Sequence, residues 1–201
     1  MAGLGGAATL GAVKRALTAT LSKAGISEAT LEARMLMGAA CGYESAQLIA
    51  HSQDVIDPQA FEALQGFETR RLSGEPISAI LGYRDFWKDR FIVTDDVLTP
   101  RPETEGIIDA AVHLYSDQQS PCDARVPTRI LDLGTGSGAV LLSLLREFPK
   151  AQGLGIDISE AALSVARRNS KALDLPAIFQ SGSWLSGLTQ SFDLIVSNPP
   201  Y

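Results

Sequence analysis

Three short stretches carry residue types that could do chemistry together. The first is Gly134-Thr135-Gly136-Ser137-Gly138, set between the apolar run Arg129–Leu133 and an apolar stretch that begins at Ala139. Glycines at a strand-to-helix turn permit a tight bend and let backbone N–H groups approach a ligand closely. With Ala139 the run also satisfies Gly-x-Gly-x-x-(Gly/Ala), a dinucleotide fingerprint. The plain alternative is a tight turn with no ligand. The second is Asp157, at the end of the next apolar run and 23 positions after Gly134. A carboxylate there faces the crevice beyond the strand ends and can accept both hydroxyls of a ribose. Alternatively, it stabilises the N-terminus of the helix that Ser159 opens. It does not separate a nicotinamide dinucleotide from S-adenosylmethionine, since both carry an adenosine ribose. The third is Asn198-Pro199-Pro200-Tyr201, after the apolar run Phe192–Ser197. Two prolines remove two backbone donors and hold the chain extended. The Pro199 carbonyl and the Asn198 side-chain oxygen can then accept two hydrogen bonds beside the flat face of Tyr201. Such a clamp suits a planar –NH₂ group, for which a dehydrogenase has no use.

The elements that must position these residues can be read from periodicity. From Thr128 onward the chain alternates strands and helices. Strands are expected at 129–133, 153–158, 177–180 and 192–197, and helices at 139–148 and from Ser159 to about Leu173. That alternation implies βαβ units and a parallel sheet. Upstream, residues 10–73 read as helices. Leu10, Val13, Leu17 and Leu21 share one helical face. Leu31, Met35 and Leu36 begin a second stripe that closes near Gly42. Asp57-Pro58 opens a third helix with Phe61, Leu64 and Phe67 on its apolar face, and Arg70-Arg71 near its end. Between the two textures, Ile77, Ile80, Phe86, Trp87, Phe91, Ile92, Val93 and Val97 suggest a short β-hairpin or bent linker. A helix from about Glu103 to Tyr115 follows, then a polar loop over 116–127. The expected division is a helical bundle at 1–75, a hairpin linker at 76–101 and an α/β domain at 102–201.

Composition excludes several function classes. Hydrophobic residues make up 45% and charged residues 20%, as in ordinary globular chains rather than disordered or fibrous ones. Seventeen basic against 23 acidic residues give a net charge of −6, poorly suited to gripping a nucleic-acid backbone. Cys41 and Cys122 form no framework and read as reduced thiols of a cytoplasmic protein. His51 and His113 have no partner at ligand spacing, so no metal site is expected. No stretch is expected to span a membrane. The first 13 residues lack the charge order of a secretory signal.

Taken together, these motifs resemble a class I S-adenosylmethionine-dependent methyltransferase acting on an amide or amine nitrogen. Leu81-Gly82-Tyr83-Arg84-Asp85-Phe86-Trp87 and Thr99-Pro100-Arg101-Pro102-Glu103-Thr104-Glu105 narrow the resemblance to the peptide-chain release factor glutamine methyltransferases, the HemK/PrmC family. Leu31-Glu32-Ala33-Arg34 and Arg70-Arg71-Leu72-Ser73-Gly74-Glu75-Pro76 fit the N-terminal domain of that family. The likeness covers roughly residues 28–201, and Arg-Pro-Glu-Thr-Glu is its specific run. It implies a partial Rossmann-like, doubly wound sheet behind a substrate-recognising helical domain. It implies S-adenosyl-L-methionine as cofactor, with Gly134, Thr135, Gly136, Ser137 and Gly138 against its methionine end, Asp157 on the ribose and Trp184 beside the adenine. For Trp184 a core tryptophan is the alternative. Asn198, Pro199, Pro200 and Tyr201 would hold the substrate amide, with Asn198 and Pro199 acting on its nitrogen and Asn198 also touching cofactor. Arg101 and Glu103 would shape the cofactor-side wall. Two places depart from the family: Trp87-Lys88-Asp89-Arg90 stands where the linker usually reads Trp-Gly-Leu, and Ser183 where an Asp is frequent.

The implied reaction moves a methyl group from a sulfonium to the side-chain nitrogen of glutamine in the Gly-Gly-Gln motif of release factors. No metal, no direct nucleic acid and no membrane is involved, and no general base stands out. The rival enzyme is an adenine-N6 DNA methyltransferase, which clamps a flipped base similarly. The charge of the helical region argues against it, with six basic and eight acidic residues over 1–75. A third reading is a non-catalytic module that keeps the fold. Four strands stand where the family's sheet has seven, so the sequence is expected to be a fragment or a shortened gene product, inactive by itself.

Overall fold

The structure is a computed structural model that describes residues 8–116 and 126–199. The chain divides into two compact units, Met1–Leu81 and Gly82–Tyr201. Cys122 and the polar-loop residues 117–125, like Pro200 and Tyr201, lie outside the described residues.

The first unit is helical: α1 (Leu10–Lys23), α2 (Ala29–Cys41), α3 (Ser45–Ala50), α4 (Pro58–Leu72) and α5 (Ile77–Leu81). Thr9 caps α1 by accepting the Ala12 N–H, and Asp57 caps α4 by accepting the N–H groups of Gln59 and Ala60. Proline at the first position of α4 needs no helical partner for its missing donor. Gly42 ends α2 in the left-handed region. Leu10, Val13, Leu17 and Leu21 are all buried, as their spacing requires. Each such leucine contributes about 1.5–3 kcal/mol of burial. The face of α2 differs from the expected stripe. Ala29, Ala33, Leu36 and Met37 are buried, whereas Leu31 is exposed. Leu36 lies on the expected face, but the small Ala29 and Ala33 that let α2 lie close to α1 and α4 escape a stripe sought among large residues. Arg70 and Arg71 do more than complement the helix dipole. Arg71 pairs with Glu32 at 2.6 Å, a half-buried bridge from α4 to α2, and Arg70 pairs with Glu75 beyond the helix end. Residues 77–81 are helical and join this apolar core through Ile80, so the β-hairpin starts only after Gly82.

The second unit opens with the antiparallel hairpin β1 (Tyr83–Phe86) and β2 (Asp89–Ile92). Its tip is tied to helices of the same unit by Trp87 and by Lys88 and Asp89, two of the residues that depart from the family pattern. The Trp87 N–H donates to Glu105 at 2.8 Å and its indole N–H to Glu147 at 2.7 Å. Lys88 pairs with Glu147, and Arg146 with Asp89. Hydrogen bonds from Lys88 and then Trp87 hold the Glu147 carboxyl below its usual range. After the hairpin come a 3₁₀ turn (Pro102–Thr104), α6 (Glu105–Ser116), β3 (Arg129–Leu133), α7 (Ala139–Glu147), β4 (Gln152–Asp157), α8 (Glu160–Leu173), β5 (Ile178–Ser181) and β6 (Leu194–Ser197).

The four later strands form one parallel sheet in the order β5-β4-β3-β6. Helix α7 is buried on nearly every side, packed on β3, β4 and α6, which explains its run of apolar residues, interrupted before Arg146 only by Ser143. Strand order runs outward from β3 through β4 to β5, then returns to the other side of β3 with β6. The reversal between β3 and β6 is a topological switch point, where open α/β sheets bind ligands beyond the strand ends. At the opposite end of the strands, the Asp193 carboxylate accepts the Thr128 hydroxyl and the Thr128 and Arg129 N–H groups, which pins β6 to β3.

Candidate active site

The glycine turn follows β3, Asp157 ends β4 and Asn198 follows β6, so three neighbouring strands deliver the three motifs to one end of the sheet. The register is direct: Leu133 stands opposite both Ile156 and Ser197. The Ser197 hydroxyl donates to the Leu133 carbonyl at 2.8 Å, fixing the β6 exit against the β3 exit. A cavity of about 340 Å³ opens there. Its walls are Gly134 and Gly136 from the turn, Ile156–Ser159 from the end of β4, Gly182–Trp184 after β5, and Ser197–Pro199 after β6. Asp96, Val97 and Leu98, from the turn after the hairpin, complete it.

The turn itself is held by hydrogen bonds to β4. The N–H groups of Gly134 and Thr135 both donate to the Ile156 carbonyl, at 2.8 and 2.9 Å. The Gly136 N–H donates to the Asp157 carboxylate at 2.9 Å. The N–H groups expected to face a ligand are thus engaged within the protein, and the turn offers closeness instead. Gly134 and Gly136 have φ of +71° and +54°, and a Cβ added at either meets no atom within 4 Å. The space above them is open. Gly138 serves a different purpose: a Cβ there would sit 3.2 Å from the Ala166 Cβ on α8, so this glycine permits close packing of the turn on that helix. Thr135, Ser137 and Gly138 are buried beneath the turn and do not line the cavity.

Asp157 holds the start of α8, one of its two sequence readings, and also lines the cavity that the other reading needs. One carboxylate oxygen accepts the Gly136 N–H and the other the Ser159 N–H at the start of α8. Each oxygen keeps lone-pair capacity toward the cavity, which Asp157 lines. Trp184 is not a core residue. It is 62% exposed at the cavity wall, with φ of +52°. A bulky residue held at positive φ is costly, and such strain concentrates at ligand sites. With Ile158 and Leu98, both largely exposed, it gives the cavity an apolar rim.

Asn198 is half-buried, and its side-chain N–H₂ donates to the Thr104 hydroxyl at 3.3 Å. That bond orients the amide so that its oxygen is the group left to accept. Thr104 lies in the Arg-Pro-Glu-Thr-Glu run, so the run does reach the site, though not through the residues expected. Arg101 and Glu103 are exposed and do not line the cavity. Pro199 lines it.

Sequence reasoning missed Thr104, the Asp96–Leu98 wall and Asp132. Asp132 is 2% exposed on β3 beneath the turn, and the Thr135 hydroxyl donates to it at 2.7 Å. Burial pushes its carboxyl up from 3.8 to about 6, against the lowering by Thr135 and the Leu141 N–H of α7, with the nearby Asp157 charge adding to the rise. A lone acid within an apolar strand run was the available signal. Among the described residues, no group of three or more His, Cys, Asp or Glu side chains could hold a metal ion, and no helix is long and apolar enough to cross a membrane.

A parallel α/β sheet with this cavity at its switch point follows a helical unit in the chain, and family comparison places the sheet region among the methyltransferases. The methyltransferase small domain profile matches residues 107–201, and the PrmC N-terminal domain profile matches residues 13–82. Among curated relatives, the release factor glutamine methyltransferase of Bradyrhizobium diazoefficiens is 43% identical over 94% of this chain and 63% of its own length. That of Rhodospirillum rubrum is 42% identical over 90% of this chain and 54% of its own length. That of Agrobacterium fabrum is 34% identical over 98% of this chain and 68% of its own length. The chain belongs to the release factor glutamine methyltransferase family. It spans less than two thirds of the length of the first of these relatives and just over half of the second.

Proposed function

We propose that the full-length protein methylates the side-chain amide nitrogen of the glutamine in the Gly-Gly-Gln motif of peptide-chain release factors, with S-adenosyl-L-methionine as methyl donor, in the cytoplasm. The observation that carries this reading is the convergence of the glycine turn, Asp157 and Asn198-Pro199 on one cavity at the switch point.

The residues present fit the cofactor. The open space above Gly134 and Gly136 is one that a side chain at either position would fill. The free lone pairs of Asp157 suit two ribose hydroxyls, and the apolar rim of Leu98, Ile158 and Trp184 suits an adenine face. When bound, the cofactor supplies a methyl group already activated by a sulfonium, so no metal is required.

The protein's own task is the nucleophile. An amide nitrogen shares its lone pair with its carbonyl and is weakly nucleophilic. The Asn198 side-chain oxygen and the Pro199 carbonyl would accept its two N–H bonds, hold the nitrogen facing the cofactor side of the cavity and stabilise positive charge growing on it. Thr104 keeps Asn198 in the accepting orientation. Pro200 and Tyr201 are assigned to the same amide on the family pattern. The proton leaves to water.

The net charge of −6 supports a protein substrate rather than direct nucleic-acid binding. Incubation of the full-length protein with labelled S-adenosylmethionine, with release factor and adenine-containing DNA as parallel substrates, tests the reading. Label in the release factor is expected. Label in DNA alone would overturn it.

A further inference from the structure

Asn169 on α8 is completely buried, and the reaction outlined above gives it no task. A buried carboxamide needs partners for two donors and an acceptor, or its desolvation goes uncompensated. Here three bonds are made. The side-chain oxygen accepts the Ile92 N–H at 2.7 Å, and the side-chain nitrogen donates to the Ile92 carbonyl at 3.0 Å and to the Ser137 carbonyl at 2.9 Å. The partners fix the orientation of the amide, because its nitrogen faces two carbonyls and its oxygen faces an N–H.

Both partners lead to the cavity. Ile92 is the last residue of β2, and the chain beyond it forms the wall at Asp96, Val97 and Leu98. Ser137 belongs to the glycine turn and directly follows Gly136, which lines the same cavity. With Gly138 in the left-handed region, the Ser137 carbonyl meets Asn169, while the Leu141 N–H of α7 is directed to Asp132. One side chain therefore ties two walls, from segments more than 40 positions apart, to a single helix.

We propose that Asn169 is a positioning residue that sets the spacing between the Asp96–Leu98 wall and the glycine turn, so that the two close on the cofactor as a preformed pair. It does not line the cavity and acts only through these backbone groups. The proposal rests on the cofactor-site reading given above. Its energetic logic is preorganisation: walls already in place need not be ordered on binding. Glutamine is too long for the site, leucine offers no bonds, and aspartate keeps the acceptor but turns oxygens toward the two carbonyls.

The test compares the protein with its Asn169→Asp variant in calorimetric titration with S-adenosylhomocysteine and in hydrogen exchange without ligand. The variant is expected to bind at least about tenfold more weakly, as for loss of two buried hydrogen bonds. Exchange is expected to quicken at both residues 93–98 and 134–138, while amides within α1 and α2, in the other unit, keep their protection. Unchanged affinity in a folded variant, or quickening in only one of the two segments, would overturn the proposal. Should Asn169→Asp not fold, the unsubstituted protein supplies the second measurement. There the Ile92 amide and the Asn169 side-chain amide protons should exchange slowly, and ligand should raise protection of both walls together. Protection rising at the glycine turn alone would overturn it. A protein that fails to bind S-adenosylhomocysteine at all removes the cofactor-site reading instead, so the two failures are distinct.

Discussion

Replacing Asp132 by asparagine should remove a pH dependence built into the floor of the site. The Asp132 carboxyl is buried under the glycine turn and titrates near 6 rather than 3.8, chiefly because burial disfavours its charge. The folded protein therefore holds a proton that the unfolded chain has released between those two values. Stability from this group is fully present below about pH 4 and is lost as pH rises through about 6. The gap from 3.8 to about 6 corresponds to about 3 kcal/mol. Asparagine keeps the shape and can still accept the Thr135 hydroxyl, but it never ionises. Urea unfolding of both proteins across about pH 4 to pH 8 isolates the effect, since other carboxylates contribute equally to each curve. Relative to the parent, Asp132→Asn should gain about 3 kcal/mol between the acid and alkaline ends. Parallel curves, or a variant that loses ground as pH rises, would refute the argument that burial governs this carboxyl.

Three further outcomes are expected. Asp157→Ala should weaken S-adenosylhomocysteine binding by about 1.5–3 kcal/mol, the range for hydrogen bonds to a charged group, and calorimetry showing an unchanged dissociation constant would remove Asp157 from the site. Asn198→Ala should lower turnover by roughly 10²–10³ with little change in cofactor affinity, because the lost acceptor acts mainly on the transition state; matching losses in both would assign Asn198 a structural role. Gly138→Ala should destabilise the second unit, because its φ of +79° and the Ala166 Cβ at 3.2 Å both exclude a side chain, and a thermal midpoint equal to the parent's would show that the turn can shift to admit one.

Local signals made much of this architecture legible. β3 falls on the expected residues 129–133, and α8 runs from the Ser159 cap to Leu173, because a β-branched and leucine-rich run and a serine cap act over a few neighbours. The α2 face was read only in part: Leu36 is buried as expected, but Leu31 is exposed, and the face continues through Ala29 and Ala33, which leave no large-residue stripe. Within the site, Gly134, Gly136, Asp157, Asn198 and Pro199, from the three motifs, and Trp184, from the family resemblance, line one cavity. What remained hidden is non-local. The Asn198–Thr104 bond joins residues 94 positions apart, and Asn169 reaches Ile92 across 77. No spacing rule connects such pairs; only the closure of the sheet and the packing of α8 bring them together. Arg101 and Glu103 illustrate the same limit, since the run that contains them reaches the site through the hydroxyl of Thr104 instead.

The central claim is that the cavity presents a glutamine amide nitrogen to a methyl donor. Its most direct test is to incubate the full-length protein with S-adenosylmethionine and an unmodified release factor, then map the product by tandem mass spectrometry. A single methyl group on the side-chain nitrogen of the Gly-Gly-Gln glutamine, absent when Asn198 is replaced by alanine, is the expected result. A methyl group on any other residue, or methylation that survives Asn198→Ala undiminished, would contradict it.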